Sequence, residues 1–321
     1  LLSKSILPMP ALFLIIGLLI LGLGAELLIR GSSAIAARFG MSDLLIGLTI
    51  VAFGTSAPEL AVSIKAAIAQ QGGIALGNVI GSNIFNAALI LGLTAFITPL
   101  TVSLQTIRRE LPILLPVTIL FAALIFLQDD LGRVSGTVLF IGLLVYLWFS
   151  FRHPEVIVAS QEPLPQDVNP PGSLPSLVCV VLILAGLAML VFGARLFVAQ
   201  AVLIATALGV SEAVIGLTIV AAGTSLPELA ASVTAALRGK ADMAIGNIVG
   251  SNLFNILGIA GLSAMVRPLA TQGIGWLDLT AMLITSAVLL PFFRTNFQLS
   301  RWEGAALIAC FATYLFLLWP R

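Results

Sequence analysis

The sequence predicts an all-α polytopic membrane protein of ten transmembrane helices, arranged as two inverted five-helix repeats. Three observations carry this. The 321 residues are 60% hydrophobic and only 9% charged, against about 25% charged in soluble domains. Apolar runs long enough to cross a bilayer as helices recur along nearly the whole length. Two blocks of the first half return in the second at one fixed offset.

The spans fall at roughly 10–37, 43–70, 74–97, 108–128, 134–152, 175–207, 212–237, 242–265, 276–293 and 302–319. Several exceed the roughly 20 residues a perpendicular helix needs, which predicts tilt or interruption. Lys4 ahead of Leu12–Leu23 is reminiscent of a signal peptide. The run continues through Leu27, Leu28 and Ile29 without a small-residue cleavage site, so it reads as the first span. From His153 to Pro175 the chain is polar and carries Pro154, Pro163, Pro165, Pro170, Pro171 and Pro175. Such a segment builds no core of its own. The expected organisation is a first five-helix repeat over 1–152, a linker over 153–175 and a second repeat over 176–321.

Residues 47–67 and 216–236 match at 16 of 21 positions, and 75–93 and 244–262 at 11 of 19. Both pairs keep an offset of 169 residues. Five spans separate each position from its mate. Five is odd, so the copies cross the membrane in opposite directions, the inverted repeat that places transporter sites near the midplane. With the N-terminus outside, the inner ends carry Arg38, Arg108, Arg109, Arg152, Arg238, Lys240, Arg294 and Arg301, against Lys4, Arg133, Arg267 and Arg321 outside. The basic excess predicts both termini outside and the linker in the cytoplasm.

Glu59 and Glu228 lie deep within apolar runs at repeat-equivalent positions. A charged side chain there costs at least about 2.5–3.5 kcal/mol, so it faces a cavity, pairs, or binds an ion. The bland alternative is a neutral acid hydrogen-bonded between helices, which fits one isolated glutamate better than a repeated pair. Pro58 and Pro227 cannot donate to the carbonyls of Gly54 and Gly223. That predicts a partly unwound turn with free carbonyls, tolerated at membrane depth only inside protein or along a cavity. Thr55, Ser56, Thr224 and Ser225 add hydroxyls. In the third and eighth spans Asn78, Ser82 and Asn86, and Asn247, Ser251 and Asn255, step by four and share a face. Gly77 with Gly81, and Gly246 with Gly250, form pairs that let helices approach. All these donors are oxygen, which suits hard cations such as Ca²⁺ and not softer metals. Na⁺ competing for one oxygen cage would couple the two ions.

GTSAPEL with GNVIGSNIFN, and GTSLPEL with GNIVGSNLFN, resemble the two alpha-repeats of sodium/calcium exchangers of the cation/calcium exchanger superfamily, prokaryotic type. The resemblance covers both halves. It implies ten helices with the second, third, seventh and eighth around the ion sites, and alternating access by sliding of the first and sixth. It implies that Glu59 and Glu228 ligate Ca²⁺ with Thr55 and Thr224. It implies Na⁺ sites at Ser56, Ser225, Ser82 and Ser251, at the backbone of Ala52 and Ala221, and at Asn86. Asn255 stands where some relatives carry aspartate. Relatives that also carry K⁺ tend to keep that acid, so the resemblance points away from K⁺ co-transport. The linker is too short for the Ca²⁺-sensing domains of animal exchangers.

The expectation is therefore a Ca²⁺/Na⁺ antiporter of a prokaryotic plasma membrane, with transported ions and no cofactor. A Ca²⁺/H⁺ antiporter is the alternative. A passive channel could use the same acids, but interrupted inverted repeats mark transporters. No nucleophile–base pair, metal-protease histidines or cofactor loop points to an enzyme. The isolated Cys179 and Cys310 give no disulfide framework or zinc spacing, and His153 reads as interfacial. No basic stripe indicates nucleic acid, and nothing implies an obligate protein partner.

Overall fold

A computed structural model describes residues 8–152, 174–210, 215, 219 and 221–318. Its helices are α1 (Pro8–Phe39), α2 (Asp43–Thr55), α3 (Ala57–Ile68), α4 (Gly72–Ile97), α5 (Thr106–Leu127), α6 (Arg133–Arg152), α7 (Ser176–Ala207), α8 (Leu226–Leu237), α9 (Ala241–Val266), α10 (Trp276–Arg294) and α11 (Arg301–Leu318). Eight are long and apolar enough to cross a membrane, and α2 with α3 makes a ninth span bent by 47°. These nine agree with the expected boundaries to within two residues. The expected span at 212–237 is described mainly from Ala221 onward, as a short turn at Ala221–Gly223 followed by α8. Residues 153–173 of the linker, with His153, lie outside the described residues, as do Lys4 and Arg321.

Turns repeat with the same 169-residue offset. Gly40 (φ 62°) and Gly209 (φ 80°) close α1 and α7 in the left-handed region that glycine enters freely. Gln70 and Gly239 do the same after α3 and α8. Pro58 and Pro227 sit in the first turn of α3 and α8, where a missing N–H costs nothing. The prolines therefore start new helices rather than merely bending old ones.

α1 and α7 pack along their length through a glycine seam. Gly17, Gly24 and Gly31 recur every seven residues, as do Cys179, Gly186 and Gly193 on the partner. A Cβ on Gly24 would lie 2.9 Å from Gly186 O and Leu190 N, and one on Gly31 would lie 2.9 Å from Cys179 O. Backbone meets backbone here, so the two helices behave as one unit. Glu26 of α1 pairs with Arg30 and accepts from Arg238 Nε at 3.0 Å, which ties this unit to the end of α8.

Inside, α9 and α4 are 89% and 72% buried, against at most 39% for the other long helices. Gly246 and Gly250 let α9 press on Leu44, Leu48 and Ala52 of α2. The α4 glycines Gly77 and Gly81 are the repeat mates of these two, and the positions equivalent to Leu44, Leu48 and the Ala52 side chain lie outside the described residues.

Two two-residue ladders stitch the repeats together. Leu100–Thr101 pairs with Gln298–Leu299, and Asp130–Leu131 with Leu269–Ala270, both antiparallel. The first joins loops after three and nine crossings, the second loops after four and eight, counting α8 as the end of one crossing. Each ladder thus joins loops on one side of the membrane, as the inverted topology requires.

The peripheral helices carry a repeat-related brace absent from the sequence expectation. Tyr146 donates to Glu110 Oε2 at 3.0 Å, and Tyr314 to Asp278 Oδ1 at 2.8 Å. Both acids lie 36 residues before their tyrosine. Hydrogen bonds to charged groups contribute about 1.5–3 kcal/mol. Tyr146→Phe and Tyr314→Phe should each lower the unfolding midpoint in detergent by a few degrees, and unchanged midpoints would remove the brace from the account.

Candidate ion-binding site

The site sits where α2–α3 and the Ala221–α8 segment break, against the buried faces of α4 and α9. α2 stops at Thr55, Ser56 leaves the helix (φ −81°, ψ 4°), and α3 begins at Ala57. Ser225 does the same before α8 (φ −91°, ψ 7°). Glu59 and Glu228 therefore stand in the first turn of a helix, where the positive end of the dipole favours a carboxylate. Both are 1% exposed.

The two halves grip each other through these acids. Ser56 Oγ donates to Glu228 Oε1 at 3.0 Å, and Ser225 Oγ donates to Glu59 Oε1 at 2.9 Å. Ser82 joins Ser225 at 3.4 Å. Asn78 Nδ2 donates to the Glu59 carbonyl at 3.1 Å and to Ser63 Oγ at 2.9 Å. Asn247 Nδ2 repeats this at the Glu228 carbonyl (3.3 Å) and Ser232 Oγ (2.9 Å). Asn78 and Asn247 thus brace the backbone under each glutamate, and their amide nitrogens are spent on that task.

What remains is a set of buried oxygens without a donor. Among the described residues, Glu59 Oε2, Glu228 Oε2, Ser251 Oγ and the Oδ1 atoms of Asn83, Asn86 and Asn255 make no hydrogen bond. Buried acceptors are nearly always satisfied. Two carboxylates linked through serines of the opposite repeats would both remain charged at this depth only beside a compensating cation. Among the described residues no group of three His, Cys, Asp or Glu could hold a metal. A cation here would rest on two carboxylates and neutral oxygens, which suits a hard ion.

The expected residues do not all play symmetric parts. Thr55 Oγ1 reaches across to Asn247 Oδ1 at 3.2 Å. Its mate Thr224 stands beside Glu59. The Ala52 carbonyl, expected at a Na⁺ site, accepts from Ser56 N at 3.0 Å and from Thr55 Oγ1 at 3.3 Å. Pro58 has no N–H to give the Gly54 carbonyl. Ala221 is helical, and its side chain is outside the described residues.

The family model for sodium/calcium exchanger protein matches residues 9–152 and 178–319. The chain belongs to the sodium/calcium exchanger protein family. It is 33% identical to sodium/calcium exchanger MaX1 of Methanosarcina acetivorans, over 96% of this chain and 97% of that protein. It is 35% identical to inner membrane protein YrbG of Escherichia coli, over 95% of each. Solved structures of the sodium-calcium exchanger NCX_Mj superpose with a TM-score of 0.81 at 32% identity, covering 97% of this chain and 98% of that one.

This exchanger-family member also uses residues that the sequence expectation missed. Asn86 Nδ2 donates to Asn252 Oδ1 at 3.1 Å, and Asn252 Nδ2 reaches the Asn83 carbonyl at 3.5 Å. Asn83 and Asn252 belong to the repeated GSN triplets, so repetition was their available signal. Asn86 and Asn255 each open a wider helical turn, Phe85–Ile90 and Phe254–Ala260. Such turns gather at functional sites. Ser63 and Ser232 lie four residues beyond each glutamate, and this repeat-equivalent spacing was their signal.

The brace makes a prediction. Asn78→Ala or Asn247→Ala should raise the half-saturating Ca²⁺ concentration about tenfold or more, the usual cost of losing a group that orients a ligand. Ca²⁺ dependence of uptake in proteoliposomes checks it, and unchanged half-saturation would assign both amides to packing alone.

Proposed function

We propose that this chain is a secondary antiporter exchanging Ca²⁺ for Na⁺ by alternating access, and that the ions bind at the paired glutamates. The carrying observation is that each buried carboxylate gives one oxygen to a serine of the opposite repeat, while its other oxygen has no hydrogen-bond partner among the described residues. Glu59 and Glu228 with Thr55 and Thr224 hold Ca²⁺. Ser56, Ser225, Ser82, Ser251, Asn86, Asn255 and the carbonyls of Ala52 and Ala221 complete sites for Na⁺. The two positive charges of Ca²⁺ and the two carboxylates balance, and Na⁺ ions entering the same cage displace it. Exchange follows because the cage cannot be left bare in the membrane. The names and ions of the relatives, and the family itself, support the same reading.

The α1–α7 unit slides as one body past the core and exposes the cage to each side in turn. The two five-helix halves, before and after the linker, each supply one wall. The membrane is a cell membrane, with the termini outside and the linker inside.

Proteoliposomes loaded with Na⁺ should take up ⁴⁵Ca²⁺ on dilution into Na⁺-free buffer. Uptake indifferent to Na⁺ but driven by a pH gradient would replace Na⁺ with H⁺ as the coupling ion. Current steps of single-channel size in a bilayer would replace exchange with conduction.

A further inference from the structure

A cavity of about 630 Å³ opens at the linker-side ends of α5 and α10, away from the glutamates. It is lined by Leu104, Ile107, Arg108, Pro112, Arg294 and Phe297. We infer that it binds the phosphate of one anionic phospholipid, with the acyl chains lying along α5 and α10.

Three observations point there. The guanidinium groups of Arg108 and Arg294 make no hydrogen bond or ion pair among the described residues, so the cavity presents two uncommitted cations among four apolar side chains. Each arginine ends an exposed stripe of its helix: Arg108, Pro112 and Pro116 on α5, and Ala287, Pro291 and Arg294 on α10. On a membrane helix an exposed apolar stripe faces acyl chains, so the cavity is continuous with lipid. Finally, Asn296 (φ 54°) and Phe297 (φ 53°) both adopt the left-handed conformation, which is rare for bulky residues. The Val102 N–H bonds the Phe297 carbonyl at 2.8 Å and, with the adjoining ladder, holds that aromatic ring at the cavity.

The basic character is not inherited from the repeat. The acid–tyrosine pairs Glu110–Tyr146 and Asp278–Tyr314 set a local offset of 168 residues. By that offset Arg108 corresponds to Trp276, and Arg294 to Phe126. The opposite face therefore has the same scaffold without the charges. Basic pockets between spans on one side of a membrane suit lipid phosphates, and arginine pairs well with phosphate oxygens.

Native mass spectrometry of the full chain in detergent, titrated with phosphatidylglycerol or phosphatidylcholine, tests this. The wild type should retain one phosphatidylglycerol in preference to phosphatidylcholine. The double variant Arg108→Gln/Arg294→Gln should bind it roughly thirtyfold more weakly, while Arg108→Lys/Arg294→Lys keeps most of the preference and guards against misfolding. Arg133→Gln, a basic change on the opposite face, should leave retention unchanged. Equal retention by the double glutamine variant, or equal loss in Arg133→Gln, would overturn the site. Binding of glycerol phosphate as tight as that of the whole lipid would overturn the lipid assignment in favour of a soluble phosphate compound.

Discussion

Glu59→Gln and Glu228→Gln should each cut Na⁺-driven Ca²⁺ uptake at least about a hundredfold. The amide oxygen of glutamine can still accept from Ser225 or Ser56, so the cross-repeat grip survives in both variants. What disappears is one of two negative charges. Removing one partner from a buried charge pair costs about 3–5 kcal/mol, and 1.4 kcal/mol is tenfold in binding. The loss should appear in Ca²⁺ binding to detergent-solubilised protein as well as in flux, with normal monodispersity. Near-normal uptake in either variant would remove the glutamates from the site. Loss of flux with full Ca²⁺ binding would move them from binding to conformational change.

Gly24→Leu should be the most damaging change outside the site. Its side chain would have to start 2.9 Å from the Gly186 carbonyl, the Leu190 amide and the Met189 Cβ. Two of those three atoms are backbone, so no rotamer change relieves the clash, and α1 must leave α7. Overpacking of this sort costs about 3 kcal/mol or more. Gly22→Leu, two residues away on the same helix, meets nothing within 4 Å and should be tolerated. The expected result is a lowered unfolding midpoint and lost exchange for Gly24→Leu alone. Equal behaviour of the two variants would mean that the seam carries no function.

Much of this was legible in the sequence because membranes impose simple rules. Hydropathy placed nine spans to within two residues, since a lipid-crossing helix must be apolar and of set length. The offset of 169 residues paired Glu59 with Glu228 and Ser56 with Ser225 before any coordinates. The pattern could not say which oxygen bonds which. Asn78 and Asn86 looked alike on one helical face, yet one braces backbone and the other meets Asn252. A four-residue step names a face and not a partner. Nor could a motif announce that Thr55 reaches across the repeats to Asn247. The tyrosine–acid braces were hidden by a one-residue slip in the offset. The glycine seam was readable, as a seven-residue spacing shared by two helices, but only once those helices were known to be neighbours.

The contact between Glu26 and Arg238 has no counterpart in the other half. The residues 169 positions away are Arg195 and Ala69, which cannot form a pair. A motion that parts α1 from α8 therefore gives up an attraction that the mirror motion does not restore. Arg238 is 53% exposed and Glu26 19%, so the pair contributes at most about 1 kcal/mol. Under the alternating access proposed above, that is still a severalfold bias between two near-equivalent states. Ionic strength can weaken this contact.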